Sequence, residues 1–187
     1  MTTRTLVLAA SLVPACVSPE RAERATAEDG DEMSAEGSSS DDGVAEDAVD
    51  AEAILARAFD YASELQQVNA TPEPGTHGDA DTVNYFAAAE NVQLFLTIDP
   101  ERTDQNVGFI EGSMFVKEHF DPADEVIGFT VMYKGPPGYN PEGGDWFWAR
   151  VNGGEVTHEG QVGFCVDCHV MVESTDYVYG VPLDNRR

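Results

Sequence analysis

The stretch that decides the fold is Gly112-Ser-Met-Phe-Val-Lys-Glu-His-Phe120. Its side chains from residue 114 onward fall into two alternating sets, Met114, Val116, Glu118 and Phe120 against Phe115, Lys117 and His119. Because successive side chains of a β-strand point to opposite faces, this period of two predicts a strand with one apolar face.

Three further strands are predicted after it. Residues 126–133 are rich in β-branched and aromatic side chains, and residues 146–151 begin with Trp-Phe-Trp. The dipeptide Asn152-Gly153 indicates a tight hairpin turn, because both central positions of a type I′ turn need a positive φ. Residues 155–158 should therefore pair back as a fourth antiparallel strand.

The part before the strands predicts a helix. Apolar side chains recur there at helical spacing, at Ile54, Leu55, Ala58, Phe59, Ala62 and Leu65. An amphipathic helix is expected over residues 52–68, a short strand over 82–86 and a helical turn over 87–96. The fold class predicted is α+β: a mainly antiparallel sheet with an N-terminal helix and a short C-terminal helix over residues 164–173. A four-helix bundle would need helical periodicity throughout.

The C-terminal helix carries Phe164-Cys-Val-Asp-Cys-His169. On a helical turn the thiols of Cys165 and Cys168 can both reach the vinyl groups of a haem, while His169 turns its imidazole to the iron. A zinc site or a thiol redox pair is the alternative for two cysteines at this spacing, but no second cysteine pair exists to complete a zinc site. The motif predicts one covalently attached haem c per chain, with His169 as the proximal ligand.

The distal side of this haem has no evident ligand. The only methionine after the motif, Met171, is too close to His169 to reach the opposite haem face. A sixth ligand would therefore have to come from upstream, from Met114, Met132 or one of the three other histidines, and none of these lies in a recognisable ligand motif. His77 and His158 fall in or beside predicted loops and are expected at the surface or in structural roles, so His119 on the Lys117 face is the histidine to test as a sixth ligand. We expect an open distal site, which favours chemistry on small molecules.

Six segments together resemble the cytochrome P-460 family and its β-sheet relatives, the cytochromes c′-beta. They are residues 61–68, His77, residues 112–120, Trp146-Phe-Trp148, Gly160-Gln-Val-Gly-Phe-Cys-Val-Asp-Cys-His169 and Asp176-Tyr-Val-Tyr179. The resemblance covers about residues 51–182.

The resemblance implies a homodimer with a five-coordinate haem and a pocket for small nitrogen species. Enzymes of the family oxidise hydroxylamine and carry an extra bond from a lysine to the porphyrin, whereas the c′-beta relatives lack that bond and bind nitric oxide. Only Lys117 and Lys134 are available, and Lys117 occupies the family's Val-Lys-Glu position. Lys134, beside a Gly-Pro-Pro turn, is expected to be solvated.

The charge of the chain limits its partners. Its 187 residues carry 35 acidic and 10 basic side chains, a formal net charge of −25. A chain this acidic is repelled by nucleic acid and by anionic membrane surfaces, but it can pair with a basic redox protein.

The N-terminal region predicts export. Residues 1–15 resemble a bacterial lipoprotein signal peptide, with Arg4 before a short apolar core and Val-Pro-Ala before Cys16, the expected lipidation site. Residues 16–50 are expected to be a disordered acidic tether, since residues 20–50 contain twelve acidic residues, two arginines and no aromatic residue. Residues 51–187 would form the haem domain of a periplasmic or cell-surface lipoprotein, held to the membrane only by its lipid.

Three functions remain open from the sequence. The chain is an oxidoreductase acting on hydroxylamine or related nitrogen oxides, a non-enzymatic protein that binds or senses nitric oxide, or an electron-transfer lipoprotein. Sequence alone does not choose among them, because a bond between a lysine and a porphyrin forms after translation.

Overall fold

The computed structural model describes residues 49–187. The predicted signal peptide, the predicted lipidation site Cys16 and the predicted acidic tether up to residue 48 lie outside the described residues. Within residues 49–187 the α-helices are α1 (Ala51–Phe59), α2 (Tyr61–Glu64), α3 (Val92–Phe95) and α4 (Gly163–His169). The strands are β1 (Gln66–Gln67), β2 (Glu73–Pro74), β3 (Thr82–Ala87), β4 (Met114–Phe120), β5 (Val126–Lys134), β6 (Trp146–Asn152) and β7 (Glu155–Gly160).

The seven strands form one antiparallel sheet in the order β1-β3-β4-β5-β6-β7, with β2 also paired to β3. The long central strands β4, β5 and β6 pair along most of their lengths, so Lys117 lies opposite Thr130 and Met132 lies opposite Trp148. The predicted α+β class with a mainly antiparallel sheet and a C-terminal helix is confirmed.

The sheet has two differently covered faces. On one face Met114, Val116 and Phe147 pack with Ile54 and Ala58 of α1, which begins where the Asp50 side chain accepts a hydrogen bond from the Ala53 amide at 2.9 Å. On the other face Phe115 and the two tryptophans pack with the C-terminal segment that follows α4. The alternation predicted from residues 112–120 therefore separates a helix-covered face from a face covered by the haem motif.

The N-terminal helix is shorter than predicted. Helix α1 ends before Asp60, α2 continues only to Glu64, and Leu65 is extended. Gln66 and Gln67 then pair with β3 as a short strand. The prediction of helix up to residue 68 is wrong because the edge of β3 offers backbone hydrogen-bond partners that a local periodicity cannot reveal.

Two other boundaries differ from the sequence-based expectation. In the β6–β7 hairpin Asn152 pairs with Glu155, so the central turn residues are Gly153 and Gly154, with φ of 56° and 84°. The hairpin is confirmed, but its turn lies one residue later than Asn152-Gly153. Helix α4 ends at His169 and a 3-10 turn, Val170–Thr175, replaces the rest of the predicted helix. No helix among residues 49–187 has the length and apolar character needed to cross a membrane.

Candidate functional site

A pocket lies between the sheet and the segment that carries the cysteines. It has about 520 Å³ of empty volume, its open mouth included. Ten of its lining residues are apolar or aromatic: Tyr85, Phe86, Phe95, Phe115, Val116, Met132, Trp148, Ala149, Val178 and Tyr179. The others are His77, Lys117, Thr130, Cys165 and His169, so the described lining contains no carboxylate.

His169 is the last residue of α4 and lies buried in this pocket wall. Its Nδ1 atom is 2.6 Å from the backbone carbonyl oxygen of Tyr177. A carbonyl can only accept a hydrogen bond, so Nδ1 carries the proton and Nε2 keeps its lone pair. The rings of Trp148 and Tyr179 pack edge-on against the imidazole, at centroid distances of 4.6 and 5.1 Å, and hold its orientation.

The imidazole of His169 is also held neutral. Burial and, to a smaller extent, the nearby Lys117 amine lower its pKa to about 3, against the opposing effect of the bond to Tyr177. A neutral histidine with one nitrogen bound to a backbone carbonyl is the usual state of a metal-ligating imidazole.

Helix α4 places the cysteines beside this histidine. Cys165 is a half-buried free thiol that lines the pocket, and burial raises its pKa to about 12. The backbone carbonyl of Cys168 accepts a hydrogen bond from the Tyr179 hydroxyl at 2.9 Å, which ties the helix to the segment that covers it. A high pKa is unlike the lowered values of reactive redox thiols, so Cys165 does not resemble a thiol-exchange nucleophile.

Lys117 reaches the same pocket from the centre of β4. Its Nζ atom lies 4.8 Å from the ring centroid of Tyr85 and 6.0 Å from that of Tyr179, and no carboxylate among residues 49–187 lies within ion-pair distance. Burial lowers the pKa of the amine from its ordinary value of 10.5 to about 7. A substantial fraction is therefore uncharged at neutral pH, the state in which a lysine acts as a nucleophile.

The expectation for Lys134 is wrong. Its Nζ lies 2.6 and 2.8 Å from the two carboxylate oxygens of Asp176, and both side chains are largely buried. The pairing partner is 42 residues away in sequence, so the Gly-Pro-Pro turn beside Lys134 gave no sign of it. Lys134 is thereby held away from the pocket that Lys117 enters.

Of two further histidines, His77 lines the pocket, whereas His119, the histidine singled out above as a candidate sixth ligand, is buried behind it and is not among the lining residues. The ring of His77, in the loop before β3, stacks on His119 at 5.4 Å and lies 6.2 Å from the His169 ring. The next residue, Gly78, has a φ of 55°, and a Cβ there would lie 2.3 Å from the Arg150 guanidinium. The His-Gly dipeptide was the available signal for a role of His77 in the pocket. His158, by contrast, is exposed on β7.

The model of the cytochrome P-460 family matches residues 96–180. This stretch contains Lys117, Cys165, Cys168 and His169 together with strands β4 to β7. By this match, residues 96–180 form a cytochrome P-460 domain. No curated protein matches it.

The cytochrome P-460 match implies haem binding, and the residues present fit a haem. The pocket offers a neutral imidazole, a free thiol on the same helix and a largely apolar wall. It also contains two buried polar atoms without a hydrogen-bond partner among the described residues, His77 Nδ1 and Trp148 Nε1, as expected where a bound group completes the site. Within residues 49–187 no group of three or more His, Cys, Asp or Glu could hold a metal ion, so the zinc alternative lacks a ligand set there.

Proposed function

We propose that the chain is a c-type haem protein with one haem, held by thioether bonds from Cys165 and Cys168 and ligated by His169. The observation that carries the proposal is the hydrogen bond from His169 Nδ1 to the Tyr177 carbonyl, which leaves Nε2 free in a pocket that Cys165 also lines. The cytochrome P-460 match supports the same assignment.

We propose further that the site oxidises hydroxylamine or processes related nitrogen oxides. The haem, when bound, supplies an iron that takes up electrons from a small nitrogen compound and passes them to a redox partner protein. Lys117, uncharged in part and facing the pocket, is the residue we assign to the extra bond with the porphyrin. Nδ1 of His77, buried without a partner among residues 49–187, is placed to exchange hydrogen bonds with a molecule in the pocket.

The same position of His77 favours a second candidate, electron transfer by a six-coordinate haem. The ring centroid of His77 lies 6.2 Å from that of His169. Bonds from metals to imidazole nitrogen are about 2 Å long, so these two histidines would be the residues that hold the iron of such a haem. A non-enzymatic nitric oxide protein is the third candidate, supported by the mostly apolar pocket wall.

The absorption spectrum of the haem-loaded full chain distinguishes these candidates. A strongly red-shifted Soret band in the reduced protein indicates the lysine link, an ordinary five-coordinate high-spin spectrum indicates gas binding, and a six-coordinate low-spin spectrum indicates electron transfer. Lys117→Arg should abolish the red shift because arginine cannot form the link, while the matched variant Lys134→Arg should keep it. Absence of turnover with hydroxylamine and an electron acceptor would refute the enzymatic proposal.

We also propose an exported homodimer, anchored through lipidated Cys16 at the periplasmic or outer surface of a bacterium. The net charge of −25 supports a basic redox protein as the electron acceptor. Incorporation of labelled palmitate by the wild-type chain, but not by Cys16→Ser, would support the anchor. Equal incorporation by both chains would refute it.

A further inference from the structure

One buried ion pair includes Asp176, the residue before the Tyr177 whose carbonyl binds His169, and the proposed chemistry does not use this pair. Lys134 Nζ bonds both carboxylate oxygens of Asp176 and also donates to the Gly144 carbonyl at 2.7 Å. The ammonium further lies 4.8 Å from the ring centroid of Trp146. The ammonium group of Lys134 therefore has three hydrogen-bond acceptors within the described chain.

The other ion pair found in residues 49–187 is very different. Arg102 and Asp104 are neighbours in an exposed loop, with 57% and 76% of their side chains accessible, against 14% and 13% for Lys134 and Asp176. An exposed pair contributes little to structure, whereas removing one partner of a buried pair leaves a charge without compensation. The Lys134–Asp176 pair therefore constrains its surroundings in a way the surface pair cannot.

Asp176 connects three parts of the fold. Its Oδ2 atom accepts a hydrogen bond from the Phe109 amide at 2.8 Å, and its backbone carbonyl accepts one from Trp146 Nε1, also at 2.8 Å. Together with the bonds from Lys134 of β5, these contacts tie residue 176 to β5, to β6 and to the segment before β4. Because these bonds involve both the side chain and the backbone of Asp176, together they restrict the conformation of this residue.

The conformation held in this way is an unusual one. Asp176 has φ of 54° and ψ of 46°, and Tyr177 has φ of 64°, so two successive residues other than glycine are left-handed. A left-handed conformation is tolerated by aspartate but unfavourable for a bulky residue such as tyrosine, and it persists only where the surroundings enforce it. The bend directs the Tyr177 carbonyl toward His169 Nδ1, 2.6 Å away.

We propose that Lys134 and Asp176 are positioning residues that set the hydrogen bond between the Tyr177 carbonyl and His169, and thereby the electron donation of His169 to the haem iron. This inference rests on the proposed haem site. A strong bond at Nδ1 makes the imidazole a better donor through Nε2, which stabilises ferric over ferrous iron. Loosening the bend at residues 176 and 177 should therefore raise the reduction potential of the haem.

The test uses the haem-loaded full chain and three variants. Asp176→Asn keeps the size of the side chain and tolerates the left-handed backbone, but it removes the charge that holds Lys134. Lys134→Met/Asp176→Asn removes both charges and therefore leaves no buried charge unpaired. It replaces the single variant as the test if Asp176→Asn fails to fold. Lys134→Arg keeps the cation and serves as the conservative rescue.

The readouts are the ferric/ferrous midpoint potential and the iron–histidine stretching frequency from resonance Raman spectra of the ferrous protein. We expect Asp176→Asn and the double variant to raise the midpoint potential and lower the stretching frequency. Lys134→Arg, which keeps the cation, should leave both readouts close to their wild-type values. Asp104→Asn, which breaks the surface pair, should change neither. Ile54→Ala, which destabilises the fold from the opposite face of the sheet, should lower the melting temperature without moving either readout.

A merely structural role for the pair gives a different outcome. If Asp176→Asn and the double variant lower the melting temperature, as Ile54→Ala does, yet keep the wild-type potential and stretching frequency, the inference is overturned while the haem proposal stands. A wild-type chain that takes up no haem during maturation overturns both.

Discussion

Replacing Lys117 by methionine should stabilise the haem-free chain. The lysine lies among aromatic rings with no carboxylate in ion-pair distance in the described part of the chain, so folding moves its charge away from water without compensation. Methionine has a similar length and no charge, and it fits the apolar wall that Phe115 and Met132 already form. The expected sign is opposite to that of most substitutions in a core.

The size of the effect follows from the pKa of Lys117, lowered from 10.5 to about 7 by burial. The unfolded chain binds more protons than the folded chain between these two values, so the stability of the wild type is reduced below pH 7 and recovers as the pH rises toward 10.5. A factor of ten in protonation is worth about 1.4 kcal/mol, which gives an upper limit of about 4 kcal/mol at pH 7. At pH 9.5 the same arithmetic leaves about 1.4 kcal/mol.

Urea unfolding of the full haem-free chain, followed by the fluorescence of buried Trp146 and Trp148, measures this difference at both pH values. Lys117→Met should be more stable than wild type at pH 7, and the gain should shrink at pH 9.5. Lys134→Met is the matched control, because the same substitution there leaves Asp176 buried without its partner and should cost about 3–5 kcal/mol.

Two results would refute the reasoning. One is a Lys117→Met chain that is no more stable than wild type at pH 7. The other is a gain that stays the same at pH 9.5, since that would mean the stabilisation does not come from the removed charge. Opposite signs for the two lysines at pH 7 would instead support the different environments described above.

Three further predictions concern the site and its support. In the haem-loaded chain, His169→Ala should keep the haem attached through its thioethers but lose the absorption spectrum of a histidine-ligated iron. Trp148→Ala should reduce the free energy of unfolding by about 3–5 kcal/mol in urea titrations, because the ring is buried and packs at 4.6 Å on His169, while Trp148→Phe should cost less. Gly144→Ala should lower the melting temperature more than Gly153→Ala: both glycines are left-handed, but a Cβ at residue 144 would lie 2.6 Å from the Tyr177 ring, and at residue 153 it would meet nothing within 4 Å.

Each of these predictions has a clear contrary result. An unchanged spectrum for His169→Ala would remove this residue as the proximal ligand. Equal losses for the alanine and phenylalanine variants of Trp148 would show that filling the space does not matter there. Equal melting temperatures for the two glycine variants would mean that the Tyr177 ring moves aside without cost.

Much of the fold could be predicted from local patterns. The period of two in residues 114–120 depends only on the geometry of an extended chain. It therefore predicted, without any information on packing, that Lys117 and Glu118 point to opposite faces of the sheet. The structure agrees, since Lys117 faces the pocket and Glu118 accepts a hydrogen bond from the Tyr61 hydroxyl on the opposite face. The haem motif could be predicted for a similar reason, because its residues are consecutive.

The prediction was weaker where one segment can form either a helix or a strand. The helix expected up to residue 68 stops at Glu64, since an edge of β3 pairs with Gln66 and Gln67. The apolar periodicity of that segment contains no information about a strand some twenty residues later. Its outcome depends on which set of backbone hydrogen bonds the complete sheet favours.

The sequence by itself determined the strand alternation, the Cys-x-x-Cys-His motif from which the haem ligands are predicted, and the face that Lys117 occupies, because each depends on spacing within a few residues. Only the tertiary structure decided that His77 enters the pocket, that Lys134 pairs with Asp176 and that the Tyr177 carbonyl holds His169. The first two contacts join residues that are far apart in the chain, and the third depends on a left-handed bend enforced by distant partners. Such contacts exist only once the sheet has brought its strands together.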